Sequence, residues 1–460
     1  MEIGYTVVVS EVYILENSTI YDKPVRMRTM LKFTFPTMIL MIFSSLYTVA
    51  DGIVVSNFVG SLGLSAINIV YPLLNVTMAV SLMLSTGSNA IIAKKLGEGK
   101  GEEANRFMTL VTLVTVAAVG ILVTVMMLFA EPLYYLLGSD DELLPYCVEY
   151  GKIVVPGAVF MALQFLFQTY LVTADRPGLS MWLTVLGGVI NIVLDIILVG
   201  PLNMGVTGAA IASVAGQFVS GIIPTVMFFS DKMLIHFQRP KWEGRQLLFA
   251  MGNGSSEMVS SMASAIITVI YNLQMMALVG EKGVAAISAV LYLDFIFVAI
   301  FIGFSSGIGP VISYNYGAGA NDRVKAGIRF NTLFGAGYTL AAWAVIVAVP
   351  LFWFRIFSDD PQLAEMGVGA LRLYFFGFVF MAFQFAGQST FQALGDARHA
   401  ICFSLLRKVV IVVPLTLVLP RLGLGVNGVF LAEPISNVIG GMASYITMRL
   451  TVYRRLDQQP

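Results

Sequence analysis

Charge is what this sequence has least of. Only 12% of its 460 residues are Asp, Glu, Lys or Arg, and they cancel to a formal net charge of zero. A nucleic-acid partner is excluded on that ground, because its electrostatic footprint is a basic surface. Cysteine is nearly absent: Cys147 and Cys402 stand in opposite halves, which leaves no disulfide framework and no cysteine-based metal site. His236 and His399, the two histidines, are far apart in predicted loops and are read as solvated. Long polar stretches are missing as well. Hydrophobic residues make up 57% of the chain and the mean hydropathy is +0.83. A water-soluble core needs less than that; a polytopic membrane protein needs about that much.

Residues 1–26 are mixed in character (Glu2, Glu11, Glu16, Asp22), show no cleavable signal pattern and read as a disordered or mis-started N-terminal extension. Twelve apolar segments follow, near 29–57, 65–92, 107–130, 148–173, 179–200, 207–229, 248–279, 284–314, 328–354, 368–393, 400–420 and 426–448. Each is long enough to cross a hydrocarbon layer of about 30 Å as a helix. All basic residues except Lys152, Lys282, Arg355, Arg372 and Arg421 are assigned to one side, Arg407 and Lys408 among them. The positive-inside rule makes that side cytoplasmic and puts both termini there. Loops on the other side are acidic, as in 138–145 and 357–365.

The chain repeats itself at an offset of 220 residues. GAVFMALQF (157–165) meets GFVFMAFQF (377–385), Gln168 meets Gln388, and MGVTGAAIA (204–212) meets LGVNGVFLA (424–432). Ser85, Gly87, Gly97 and Gly99 meet Ser305, Gly307, Gly317 and Gly319. The expected fold is all-α, with twelve transmembrane helices in two six-helix lobes related by a pseudo-two-fold axis along the membrane normal. The expected division is an extension (1–26), an N-lobe (27–230), a linker (231–245), a C-lobe (246–450) and a tail (451–460). Parallel repeats of this kind build transporters with the substrate between the copies.

Against so little charge, intramembrane acids stand out. The stretch 36–60 contains Asp51 and no Lys, Arg or His, although a carboxylate near mid-membrane costs about 2.5–3.5 kcal/mol on insertion scales. Asp195 has Asn191 four residues earlier, on the same helix face. Asp51 lies 15 residues beyond Pro36 and Asp195 lies 15 beyond Ser180, so both acids are expected at similar depth. The repeat does not duplicate them: Asp51 meets Tyr271 and Asp195 meets Leu415. We expect Asp51, Asn191 and Asp195 to bind a proton or Na⁺; the alternative is a structural hydrogen-bonded cluster. In the second half Glu257, Asp294 and Tyr271 are candidate cavity residues. Glu433 either lines the cavity or repairs the helix broken by Pro434. Gln164, Gln168, Gln384 and Gln388 either bond helices together or touch substrate.

Several motifs carry a family resemblance: Pro36 with VADGIVVSNFVG (49–60), NIVLD (191–195), MGVTGAAIAS (204–213), GIGPVISYNYGAGANDR (307–323) and FQALGDAR (391–398). From about residue 27 to 450 the chain resembles the multidrug and toxic compound extrusion (MATE) transporters, most of all the bacterial branch with MepA-like and DinF-like proteins. The resemblance implies a V-shaped, alternating-access fold that exports amphipathic, often cationic compounds in exchange for H⁺ or Na⁺. It implies a cation site at Asp51, Asn191 and Asp195, with a hydroxyl from Ser213 or, as second choice, Thr207. It further implies helix bending at Pro36 and a functional acid at Glu257, although MGNGSS stands where the family commonly has a proline. No cofactor and no metal beyond Na⁺ are expected. The expected setting is a monomer in the inner membrane, working on small organic cations within the lipid bilayer. Two other readings remain: a flippase or exporter of a lipid-linked or other endogenous metabolite, and a membrane enzyme. For the enzyme, the Asp pairs at 140–141 and 359–360 lack the additional ligands a metal needs.

Overall fold

The computed structural model describes residues 19–357 and 361–458, without the side chains of residues 48–58, 61 and 362. Among them are twelve helices long and apolar enough to cross a membrane, and no strand. They are α1 (Met27–Tyr47), α2 (Leu62–Gly97), α3 (Gly101–Leu128), α4 (Leu144–Thr173), α5 (Pro177–Val199) and α6 (Gly205–Met227), then α7 (Gly244–Val279), α8 (Glu281–Gly317), α9 (Asn321–Ala348), α10 (Leu363–Ala393), α11 (Ala397–Leu422) and α12 (Gly425–Gln458). The first six form the N-lobe and the last six the C-lobe. The chain is a multi-pass membrane protein.

The helical trace from Met27 to Gly97 is broken only at Gly60, whose φ of 79° and ψ of 176° separate α1 from α2. A side chain is disfavoured at that φ, so glycine fits the corner. Gly280 makes the equivalent corner between α7 and α8 at φ 75°. The backbone stays helical through Pro36, which only removes one hydrogen-bond donor from α1. The repeat extends to strained turns: Asp175 (φ 61°) and Asn203 (φ 49°) adopt the left-handed conformation of Gly395 and Gly423.

Helix faces sort by solvent. On α5, Leu186, Val193 and Ile197 are exposed and suited to lipid, whereas Gly187, Gly188, Asn191 and Asp195 are turned inward. The two lobes meet along small residues in the helix halves nearest the basic loops. A Cβ on Gly87 of α2 would stand 1.9 Å from the Ala250 carbonyl oxygen of α7, and one on Gly254 would stand 1.8 Å from that of Met83. Further along, Gly97 of α2 and Gly317 of α8 abut the backbone of Tyr314 and Lys94 at 1.9 and 2.1 Å on the same measure. The duplicated glycines of the sequence are thus a seam at which helices touch backbone to backbone.

Four expectations are corrected. Residues 19–26 are not a loose extension: Ile20 and Tyr21 are buried, and the Tyr21 hydroxyl donates to the Thr173 carbonyl at 2.7 Å. The backbone carbonyls of Tyr21 and Lys23 each accept from Arg323 at 2.6 Å, so this short strap touches both lobes. Neither histidine is simply solvated. His236 packs among Asn105 and Gln238 where the linker docks on α3, and His399 stacks on Phe391 while its Nδ1 lies 2.9 Å from Asp396. Arg407 and Lys408, counted with the basic side, lie well inside α11, with Arg407 only 5% exposed. Residues 451–458, expected in the tail, continue α12, and Lys325 of α9 reaches Asp457 at 2.5 Å. The acidic loop at 138–145 is built around a cap, since Asp140 Oδ1 accepts from the backbone N–H groups of Glu142 and Leu143. The Asp pair at 359–360 lies outside the described residues.

Candidate functional site

Two polar places lie inside this apolar shell. The first is in the N-lobe, where α5 carries Asn191 and Asp195 one turn apart on its inner face, 1% and 0% exposed. The Asn191 amide donates to Ser213 Oγ of α6 at 3.4 Å. Its carbonyl oxygen Oδ1 is buried and, among the described residues, has no hydrogen-bond partner. A buried acceptor left over beside a carboxylate is an arrangement that suits a small cation. Asp51 lies on the helical continuation of α1, but its side chain is outside the described residues. Thr207, the second choice for the span-six hydroxyl, is instead hydrogen-bonded to Glu149 of α4, an acid the sequence reading did not single out.

The second place is a cavity of about 220 Å³ between the lobes. Thr37 of α1, Asn89 of α2 and Gln168 of α4 face it from one side, and Glu257 of α7, Ser313 of α8 and Gln388 of α10 from the other. Glu257 is the one charged side chain among the described residues that line it. Its Oε1 accepts from Gln392 Nε2 at 3.1 Å and from Gln388 Nε2 at 3.4 Å. These neutral amide donors fix the carboxylate without neutralising it, so its charge remains available to a ligand. The volume is below the range of about 300–1,000 Å³ typical of drug-sized ligands, so a larger molecule requires the lobes to separate.

Several candidate cavity residues stand elsewhere. Gln384 is 1% exposed and bonds the Phe403 carbonyl and Gln388; it does not line the cavity, and neither does Gln164. Tyr271 is buried inside the C-lobe against Glu433, and Asp294 lies in the same interior region beside Glu433 and Tyr374. Gln392 was missed, although its spacing from Gln384 and Gln388 repeats every four residues and marks one helix face. Arg407 was also missed as an intramembrane group. Among the described residues, no cluster of three His, Cys, Asp or Glu side chains is placed to ligate a metal ion.

Comparison with known proteins agrees with this architecture. The family described as MatE matches residues 36–197 and 258–418. A "Multidrug export protein MepA" from Staphylococcus saprophyticus is 25% identical over 449 residues, covering 96% of this chain and 96% of that protein. A "FAD transporter" from Shewanella oneidensis is 25% identical over 441 residues, covering 91% of this chain and 93% of its own. Among solved structures, a MATE protein in complex with MaL6 superposes with a TM-score of 0.90 at 20% identity over 95% of this chain and 98% of that one. An outward-facing multidrug resistance MATE family transporter superposes with a TM-score of 0.88 at 22% identity and the same coverage.

Proposed function

The chain belongs to the MatE family and is a membrane transporter rather than an enzyme, and on that premise we propose that it exports amphipathic organic cations by alternating access, in exchange for H⁺ or Na⁺. The observation that carries the substrate class is Glu257. One carboxylate, held by two amide donors in an otherwise uncharged cavity, favours a cation and disfavours a second anion. The coupling ion is assigned to Asp51, Asn191 and Asp195 with Ser213 beside them. Support comes from the burial of Asn191 and Asp195 on one face of α5 and from the leftover acceptor of Asn191.

Coupling follows from position. A cation bound in the N-lobe shares α1 with the cavity wall, because Thr37 and Met41 of α1 line the cavity. Ion occupancy that shifts α1 therefore alters the shape offered to the substrate. The proposed setting is the inner membrane, with both termini and the glycine seam on the cytoplasmic side. The name of the Shewanella relative raises an anionic dinucleotide as substrate; an acid as the one charge in the cavity argues against it, as it does against a pyrophosphate-linked lipid. The test is pumping of a fluorescent organic cation into inverted vesicles, the direction that is efflux in the cell. Glu257→Gln is expected to slow efflux about 10- to 150-fold at subsaturating substrate, the worth of one charge-assisted contact, with the protein still in the membrane. Unchanged efflux of cations, or export of an anionic flavin in preference to them, overturns the substrate assignment.

A further inference from the structure

Two lobes grown from one repeat need not keep the same chemistry. The offset of 220 carries Asp51 onto Tyr271, Ser213 onto Glu433, Gly187 onto Arg407 and Gly188 onto Lys408. The C-lobe thus lacks the acids of α1 and α5 and has one on α12, at the position of the N-lobe hydroxyl. Glu433 is 3% exposed; it accepts from Arg407 Nη1 at 2.7 Å and from the Tyr271 hydroxyl at 3.4 Å. The same Nη1 donates to Asn437 Oδ1 at 2.9 Å, and Ser436 Oγ donates to the Arg407 carbonyl at 2.8 Å.

The backbone is altered to admit this pair. In the N-lobe a Cβ on Gly187 would stand 2.1 Å from Ser220 Oγ and 2.6 Å from the Gly216 carbonyl oxygen, so α5 and α6 touch with no room for a side chain. At the matching place α11 widens into a π-helical turn, Leu406–Val412, whereas α5 stays α-helical through Pro177–Val199. Such turns are rare and concentrate at functional positions. Gly440 of α12 completes the slot: its Cβ position lies 3.2 Å from Arg407 Cβ and Cγ.

We propose that Arg407 is a tethered counter-cation: its guanidinium permanently occupies, at a buried C-lobe carboxylate, the place that an exchangeable cation takes in the N-lobe. Only one lobe then exchanges ions, and that clause rests on the N-lobe assignment made above; the tethering does not. A buried carboxylate requires a cation or a proton in this medium. When the cation is part of the chain it cannot leave, and Glu433 stays paired through the transport cycle. Lys408 of α11, Asp294 of α8 and Tyr374 of α10 stand near the same pair, and Tyr271 of α7 contributes its hydroxyl. Removing Arg407 leaves Glu433 without its guanidinium partner, beside a vacancy of guanidinium size.

The test uses the full-length protein in nanodiscs, with thermal midpoint as the readout and low-millimolar guanidinium chloride as the probe, against choline chloride at equal ionic strength. Arg407→Ala is expected to melt lower than wild type and to regain stability saturably with guanidinium, whereas wild type and Arg407→Ala/Glu433→Gln do not respond. A response of Arg407→Ala no larger than that of wild type overturns the proposal, as does an equal response in the double variant. A second measurement, independent of whether Arg407→Ala accumulates, counts H⁺ or Na⁺ bound per chain. Asp195→Asn is expected to bind none; a residual ion that disappears when Glu433→Gln is added overturns the tethered role. If Asp195→Asn binds as many ions as wild type while the guanidinium rescue holds, the N-lobe assignment fails and the tethered cation stands.

Discussion

Gly87→Ala probes the seam between the lobes, because it adds one methyl group at the tightest kind of contact in the molecule. The new Cβ would lie 1.9 Å from the Ala250 carbonyl oxygen, where ordinary contact begins at 3.4 Å, so α2 and α7 must part by the difference, about 1.5 Å. Both atoms sit on helix backbone, and neither can swing aside as a flexible side chain does. Overpacking of this kind costs about 1–3 kcal/mol. The cost falls only on the shape in which the seam is closed, so it lowers that shape's population by roughly 5- to 150-fold. Alanine also gains up to about 1 kcal/mol of helix propensity over glycine, but that gain is common to both shapes and cancels. Spin labels at Lys100, between α2 and α3, and at Asp322, in the first turn of α9, stand in opposite lobes beside the seam and report the separation by pulsed electron resonance. The expected result is a longer distance population in Gly87→Ala, together with loss of substrate efflux. Gly252→Ala is the control, since nothing lies within 4 Å of a Cβ there. Distance distributions identical in wild type and Gly87→Ala, or an equal change in Gly252→Ala, would refute the reasoning.

Two further outcomes follow from the cavity and the strap. Removing the charge at Glu257 by Glu257→Gln should weaken binding of an organic cation by about 1.5–3 kcal/mol, the worth of a charge-assisted contact, while a neutral analogue of the same shape binds as before in equilibrium titration. Equal loss for both ligands would mean that the residue shapes the cavity rather than reading charge. Outside the membrane, burial pushes the Asp175 carboxyl up from its ordinary range, against the opposing hydrogen bond from the Ile20 N–H at 3.2 Å. With the folded-state value raised, folding takes up a proton at Asp175. The stability this adds is complete below the unfolded value, about 3.9, and is lost as pH rises through the folded one. The thermal midpoint should therefore fall as pH rises through that window, and Asp175→Asn should flatten the dependence; a slope unchanged in the variant removes Asp175 as its source.

The helices were legible in the sequence because lipid demands apolar segments of fixed minimum length, and a chain with so little charge has few ways to hide them. The repeat was legible because close helix contact demands glycine at the same places in both copies. What the sequence could not give was which face meets which. Gln384 and Gln388 share a helix face and both bond neighbours, yet only Gln388 reaches the cavity, because the cavity lies toward the basic ends of the helices. Arg407 and Lys408 were counted with the basic side because a positive-inside count treats every cation as solvated. The partner that keeps Arg407 in the membrane, Glu433, is on another helix 26 residues away. The strap at Ile20 and Tyr21 was missed because a short aromatic segment shows no periodicity; its partners are supplied by the end of α4 at Thr173 and the start of α9 at Arg323.

The claim on which the rest depends is that ion occupancy in the N-lobe drives export from the cavity at Glu257. Its most direct test is efflux of a fluorescent organic cation from proteoliposomes, with pH and Na⁺ gradients imposed one at a time, for wild type and for Asp195→Asn. The account predicts that one gradient accelerates wild-type efflux, that Asp195→Asn does not respond to either gradient, and that the variant still binds the substrate. Gradient-driven efflux in Asp195→Asn at the wild-type rate would contradict it.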